Sequence, residues 1–300
     1  MSRLFRPKFS LRTLLLGTAI VGVGLGLFQR LDQTRQLVAR IEAAGGKCDY
    51  EDRKSSGSFE TWLRERLPRS YFDKVTTVYL FGRTENVDAV LAHLAGLKSL
   101  NWLWIENAQI SDAGFAHLDR LTSLEYLFLR LGDTEVSDAG IAHLARMKSL
   151  INLDLSGLRI SSAGFEQLAE LKALETLGLD RTRFGDDALS HLAGLTSLKN
   201  LNLNNTQVSD ADLRHLTELK SLESLGLDNT QVGDAGLTHL ATLNSLKELW
   251  LNNTKVTNAG VAHLVESKSL KYLWLNGTHV SDAGFQQIHA SLPDCLVYGQ

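Results

Sequence analysis

The sequence predicts a curved α/β solenoid, with a parallel sheet on the concave face and helices on the convex face. Three observations support this fold class: a fixed repeat length, the same order of apolar residues in each repeat, and a change from strand-like to helix-like spacing within it. A 24-residue unit cannot bury its apolar face alone, so neighbouring units must stack. Six units have this length: Leu100–Ser123, Leu150–Ala173, Leu174–Ser197, Leu198–Ser221, Leu222–Ser245 and Leu246–Ser269.

Three further units extend the array to about nine, over residues 75–290. One of them, Leu124–Ser149, keeps the pattern but contains two extra residues around Gly132 and Asp133. Degenerate units open at Val75 and at Leu270. Residues 291–300 are expected to form a C-terminal cap whose last strand closes the sheet.

The first half of each unit is predicted to form a short strand. In the unit that opens at Leu198, Leu201 and Leu203 follow at the fourth and sixth positions, from which they point into the core. The ninth position is threonine in five units, and its hydroxyl can hydrogen-bond the neighbouring turn, which predicts a ladder through the array. These residues are Thr182, Thr206, Thr230, Thr254 and Thr278.

The second half of each unit is predicted to form a helix of about nine residues. Ser209 and Asp210 mark its start, because their side-chain oxygens can cap free backbone N–H groups and suit the positive end of the helix dipole. Leu213, Leu216 and Leu219 then follow at a spacing that buries one side.

The pattern L-x-x-L-x-L-x-x-T-x-V-[ST]-D-A-x-h-x-x-L resembles the leucine-rich repeat, in the short form found in bacterial and F-box-associated proteins. The run from Phe9 to Leu16 resembles the N-terminal anchor of bacterial membrane proteins that carry such repeats. The resemblance implies a protein-binding module with no enzymatic activity and no cofactor. Threonine stands at the ninth position where the F-box-associated form often has cysteine, and no F-box segment precedes the repeats. Both departures count against a ubiquitin-ligase substrate adaptor.

A membrane-spanning signal anchor is predicted over residues 13–28, an uncharged and mostly apolar run of 16 residues. Such a helix spans about 24 Å, and it lengthens if Arg12 and Arg30 reach towards the lipid headgroups. The cations within residues 1–12 place this basic tail in the cytoplasm and the repeats outside. The alternative is a signal peptide that is cleaved, so that the repeats are secreted.

Residues 29–74 are predicted to form a juxtamembrane helix and an N-terminal cap. The helix covers residues 30–44 and ends at the pair Gly45 and Gly46. A second amphipathic helix, Phe59–Leu67, is expected to shield the apolar end of the first repeat from water.

Charge is distributed unevenly along the chain. Residues 1–74 contain 14 basic and 8 acidic side chains, a net charge of +6, whereas residues 75–300 contain 17 and 26, a net charge of −9. An acidic array argues against nucleic-acid binding, for which a basic face is the usual footprint.

Residue types that suggest chemistry recur with the repeat and are therefore interpreted as structural. A histidine shared by seven helices would be presented one per helix, whereas metal ligands must converge on one ion. The two cysteines, Cys48 and Cys295, lie at opposite ends of the array, too far apart for an intramolecular disulfide. No catalytic, metal or cofactor site is predicted. The histidines are His93, His117, His143, His191, His215, His239 and His263.

The positions that the repeat does not fix define a candidate binding surface. Side chains at the third, fifth and seventh positions point out of the concave face, since neighbouring side chains of a strand alternate. Aromatic residues occupy both ends of this face, and a small, acidic and asparagine-rich centre lies between them. The candidate partner-binding residues are Tyr79, Trp102, Trp104, Tyr126, Phe128, Asp154, Asp180, Asn202, Asp228, Trp250, Tyr272 and Trp274.

These observations predict a membrane-anchored protein that binds a protein or peptide on its concave face, because exposed aromatic clusters mark interaction sites. The aspartate row suggests a ligand with basic or hydrogen-bonding groups. Three alternatives stay open: aromatic residues that only stabilise the sheet by stacking, a structural protein that self-associates, and a glycan-binding module. The sequence predicts neither the oligomeric state nor the identity of the partner.

Overall fold

The computed structural model describes residues 33–51, 74–81, 87–131, 134–185 and 187–299. The predicted tail (1–12), membrane segment (13–28) and second cap helix (59–67) lie outside these ranges. Within them, no helix has the length and apolar character needed to cross a bilayer.

The sheet confirms the predicted fold class. Its strands follow one another in space in chain order, and all neighbours are parallel except the first pair, which is antiparallel. The leucines at the fourth position align across it, as in the register Leu201–Leu225–Leu249. The eleven strands are β1 (Lys47–Tyr50), β2 (Val75–Leu80), β3 (Trp102–Glu106), β4 (Tyr126–Arg130), β6 (Asn152–Asp154), β8 (Thr176–Gly178), β10 (Asn200–Asn202), β11 (Ser224–Gly226), β12 (Glu248–Trp250), β13 (Tyr272–Trp274) and β14 (Leu296–Tyr298).

A helical layer lies on the opposite side of the core. Its α-helices are α1 (residues 33–43), α2 (Val87–Leu94), α3 (Asp112–Leu118), α4 (Asp138–Leu144), α5 (Ser162–Leu168), α6 (Asp210–Leu213), α7 (Asp234–Leu240), α8 (Asn258–Leu264) and α9 (Asp282–Ser291). Ala188–Gly194 and Arg214–Glu218 are 3₁₀ helices.

The predicted helix length of about nine residues is wrong for most units. Helices α3, α4, α5, α7 and α8 have seven residues each. The chain then tightens into a turn in which the N–H of Leu121 donates to the carbonyl of Leu118, and Leu243 bonds Leu240 in the same way, both at 2.9 Å. The tighter turn lets the chain return to the next strand within one unit.

A second, three-stranded parallel sheet was not expected. It consists of β5 (Thr134–Glu135), β7 (Leu158–Ile160) and β9 (Arg183–Phe184), which belong to three successive units. Strands of two or three residues are too short for an alternating pattern to show in the sequence.

One continuous apolar core runs through the array, from Leu37 in α1 to Cys295 beside β14. The leucines of each unit are almost completely buried, and each contributes roughly 1.5–3 kcal/mol of transfer free energy. Both cysteines are free thiols in this core, at opposite ends of the array. Burial, assisted by the charges of Glu42 and Asp49, raises the pKa of Cys48 to about 12.

Threonine does not form the predicted ladder. The hydroxyls of Thr206, Thr230 and Thr254 donate to carbonyls three residues earlier in their own units, at 2.6–2.7 Å. Thr182 differs, because its hydroxyl reaches the carbonyl of Leu155 in the preceding unit at 3.1 Å. In most units the hydroxyl therefore satisfies its own turn.

Asparagine forms the ladder instead. The side-chain amide of Asn253 donates to Asn229 at 2.9 Å, Asn229 donates to Asn205 at 3.0 Å, and Asn205 donates to Asp180 at 2.7 Å. The three asparagines have φ between 54° and 57°, a left-handed conformation that asparagine tolerates better than most residues. We call this chain of side chains the asparagine ladder.

Helix starts join neighbouring units as well. Ser111, Ser137 and Ser161 cap the N–H of the glycine three residues later, as the predicted capping role requires. The first aspartate of a helix, however, serves the next unit: Asp234 accepts from both the N–H and the hydroxyl of Thr257, each at 2.7 Å.

Candidate binding surface on the concave face

The candidate residues project from the same sheet because strand register repeats them one unit apart. Residues at the fifth position pair directly across neighbouring strands, for example Trp104 with Phe128 and Trp250 with Trp274. Their Cβ atoms are therefore close enough for rings to stack along the face. The strands thus form rows of side chains that run along the array.

Four rings form the N-terminal aromatic cluster: Trp102, Trp104, Tyr126 and Phe128. Ring centroids lie 4.9 Å apart for Trp102 and Tyr126, 5.0 Å for Trp102 and Phe128, and 4.9 Å for Trp104 and Phe128. All four side chains are half-buried. Tyr79 lies on the preceding strand, where it stacks on Phe81 with centroids 6.0 Å apart.

Four rings also form the C-terminal aromatic cluster: Trp250, Tyr272, Trp274 and Tyr298. Trp250 and Trp274 stack with centroids 4.5 Å apart and planes at 6°, and Trp274 stacks on Tyr298 at 5.4 Å. Tyr272 and Tyr298 are 38 % and 44 % exposed, so this cluster presents more of its surface to solvent than the N-terminal one.

Tyr298 was missed because the recognised units end before it. Its position nevertheless follows from the period, since it stands 24 residues after Trp274 and pairs with it across β13 and β14.

Between the two clusters lies the central depression, with a volume of about 290 Å³. Phe128 stands at one end and Trp250 at the other, while Gly178, Asn202 and Gly226 lie along the floor. The floor is low because Gly178 and Gly226 have no side chains. A Cβ on Gly226 would lie 2.7 Å from Oδ1 of Asn204, closer than real Cβ contacts allow.

The acidic centre is less available than the sequence suggests. Asp154 is only 7 % exposed, and its Oδ1 accepts from the N–H of Ser156 at 2.9 Å. Asp228 accepts from the N–H of Asn252 at 2.7 Å, and Asp180 accepts from the amide of Asn205. Each aspartate therefore has at least one oxygen bonded to the protein, so the row is not a free patch of negative charge.

Arg130 joins the N-terminal cluster to this centre, although it was not among the predicted site residues. Its guanidinium lies over the ring of Trp104, with Cζ 4.9 Å from the centroid, and its Nε donates to Oδ2 of Asp154 at 3.1 Å. The indole N–H of Trp104 donates to Glu106 at 3.1 Å. A cation–π contact and a charged hydrogen bond thus fix the orientation of this arginine.

The repeated histidines lie in the helical layer, as their even spacing predicts. Nδ1 of His143 is 3.1 Å from Oδ2 of Asp119 in the preceding unit, so this histidine joins neighbouring repeats. At the start of helix α6, the hydroxyl of Ser209 donates to the carboxylate of Asp212 in the same unit at 2.7 Å. Among the described residues, no group of three histidine, cysteine, aspartate or glutamate side chains is arranged to hold a metal ion.

Solved structures with the same fold support this description. The sequence matches no protein-family model and no curated protein. The structure is similar to internalin C2 of Listeria monocytogenes, with 26 % identity, a TM-score of 0.52, and coverage of 69 % of this chain and 81 % of the internalin. It is also similar to TLR13 in its complex with ssRNA13, with 19 % identity, a TM-score of 0.57, and coverage of 79 % of this chain and 34 % of the receptor. The fold is therefore a leucine-rich-repeat solenoid.

Proposed function

We propose that the chain is a membrane-anchored leucine-rich-repeat protein of the short, 24-residue form, which binds a protein or peptide on its concave face. The observation that carries this proposal is the central depression between two aromatic clusters. Aromatic side chains supply large contact areas at little cost in conformational entropy, and they are enriched at binding hot spots. The low glycine floor leaves room for an extended segment to lie between them.

Charge favours a peptide over a nucleic acid. The complex of TLR13 with ssRNA13 contains RNA, but residues 75–300 of this chain have a net charge of −9, which repels a polyphosphate backbone. The amide groups of Asn200 and Asn202, both exposed on the face, provide neutral partners for a peptide backbone.

The membrane anchor and the extracytoplasmic position of the repeats belong to the same proposal. They are supported by the apolar run over residues 13–28 and by the cations that precede it. That the chain is not an enzyme and needs no cofactor remains a prediction.

The proposal is tested by capture from detergent-solubilised membranes with the full chain as bait. We expect Trp250→Ala combined with Trp274→Ala to abolish capture of the partner while the far-ultraviolet circular dichroism stays unchanged. A matched control changes two exposed residues of α9, Gln286→Ala and Gln287→Ala, and should capture normally. Equal capture by the aromatic variant and the wild type would refute binding at this face.

Self-association is a second candidate, favoured by the exposed last strand. Leu296 and Tyr298 of β14 are 54 % and 44 % exposed. An exposed edge strand is a template for pairing with another chain. A full chain that remains a monomer in detergent up to high concentration, measured by light scattering, would rule this candidate out.

A further inference from the structure

Three arginines lie along the rim of the concave face, where the strands β4, β6 and β8 end. Arg130, Arg181 and Arg183 line one groove with a volume of about 510 Å³, together with Ser156 and Gly157. This arginine rim shares Asp154, Gly178 and Asn202 with the central depression, so the two are continuous.

We propose that the arginine rim binds a carboxylate of a peptide that lies in the central depression. The inference rests on the proposed function and adds the chemistry of the ligand: an extended peptide with an aspartate or glutamate side chain. Its support comes from the orientation of Arg130, the conformation of Arg181 and the balance of charge at the rim.

The fixed orientation of the Arg130 guanidinium suits the binding of an anion. The stack on Trp104 and the bond from Nε to Asp154 fix its guanidinium plane, yet they use only one of its five N–H groups. No acceptor among the described residues takes the Nη hydrogens, and the side chain is 49 % exposed. A planar guanidinium with its Nη edge exposed matches the two oxygens of a carboxylate.

Arg181 occupies a position that favours asparagine. Its φ is 55°, and the residues one, two and three units later are Asn205, Asn229 and Asn253, which form the asparagine ladder. A left-handed conformation costs an ordinary residue roughly 1–2 kcal/mol. The arginine gains little in return, since its side chain is 74 % exposed and its Nη1 is 3.9 Å from Asp180. Arginine here therefore breaks the ladder and places a cation at the rim.

The charge balance favours an isolated carboxylate rather than a polyanion. The rim has three cations and two carboxylates, and Asp154 and Asp180 are both already bonded within the protein. The array around it is acidic, with a net charge of −9 over residues 75–300. A single acidic side chain is attracted by the local positive charge of the rim, whereas a long anionic polymer is also repelled by the acidic array around it.

The test uses phage-displayed random dodecapeptides selected on the full chain in detergent. The tightest selected peptides are then synthesised in two forms, with each aspartate or glutamate retained or replaced by its amide, and titrated by fluorescence anisotropy. We expect the acidic form to bind about tenfold more tightly to the wild type. The combined variant Arg181→Asn and Arg183→Gln should remove this preference, and so should Arg130→Met if it folds. Arg146→Gln, an exposed arginine of the helical layer, is the matched control and should retain it.

Four other outcomes would each overturn part or all of the proposal. Peptides that lose binding with Trp250→Ala, yet show equal affinity for both forms, would overturn the carboxylate assignment and leave the proposed function intact. A preference that persists in the rim variants would also overturn it. Failure to select any peptide would reject the inference together with the proposed function. Tighter binding of a polyuridine RNA than of the acidic peptides would overturn the choice of a peptide ligand.

Discussion

The two halves of the region from Leu124 to Ser269 differ in how closely they follow the repeat. From Leu198 to Ser269 the units are equal in length, and the asparagine ladder and the bonds of threonine within each turn are regular. From Leu124 to Ser197 the chain has two extra residues, a second sheet and an arginine at a ladder position. We call these the regular half and the irregular half.

The comparison shows what the repeat requires of its side chains. In the regular half, Asn204, Asp228 and Asn252 each accept from a backbone N–H of the following unit, at 2.7–2.8 Å. In the irregular half the same position of the repeat holds Arg130, Ser156 and Asp180, and among the described residues none of these side chains accepts from a backbone N–H of the following unit. Where the seventh side chain does not hold the backbone of the next unit, it is available to bind, and the arginine rim lies there.

The largest expected effect is common to both halves, because the leucine core does not differ between them. Leu153 and Leu249 are both completely buried at the same position of their units. Replacing either with alanine should lower the free energy of unfolding by roughly 2–5 kcal/mol, measured by urea denaturation. A much smaller loss for Leu153→Ala would show that the irregular half has a looser core.

Variants at the asparagine-ladder position should affect stability differently in the two halves. We expect Asn229→Ala to lower the free energy of unfolding by about 1–2 kcal/mol, since it removes two amide hydrogen bonds and a residue suited to the left-handed conformation. Arg181→Ala retains the same backbone strain and loses no ladder bond, so it should change stability by less than about 0.5 kcal/mol. Equal losses in urea denaturation would mean that the ladder contributes no stability.

The smallest expected effect concerns the buried thiol near the N-terminal end. Because the folded protein raises the pKa of Cys48 to about 12, its thiol stays protonated in conditions where an unfolded cysteine ionises. Stability from this group is complete below the unfolded pKa and is lost as the pH rises through the folded pKa. Iodoacetamide at pH 8.5 should therefore alkylate Cys48 slowly in the native chain and rapidly in urea, as followed by mass spectrometry. Rapid native alkylation would contradict the burial.

The sequence predicted the fold because its evidence is repeated in every unit. The leucine positions, the strand register and the placement of the aromatic side chains on the concave face all follow from one period, which also reaches Tyr298. Departures from the period were harder to predict. The role of Arg130 depends on Trp104 one unit earlier and Asp154 one unit later, so no single unit contains the signal. The asparagine ladder was missed because a threonine hydroxyl and an asparagine amide are equally plausible bridges until the backbone shows which of them reaches the next unit.

The most direct test of the link between irregularity and binding is a single variant, Arg181→Asn, with two readouts. Asparagine at this position suits the left-handed backbone and can extend the ladder from Asn205. We expect the free energy of unfolding to rise by about 1 kcal/mol and the preference for acidic peptides to weaken. A more stable protein with an unchanged preference would contradict a binding role for Arg181, and the irregular half would then be only a defect in the repeat.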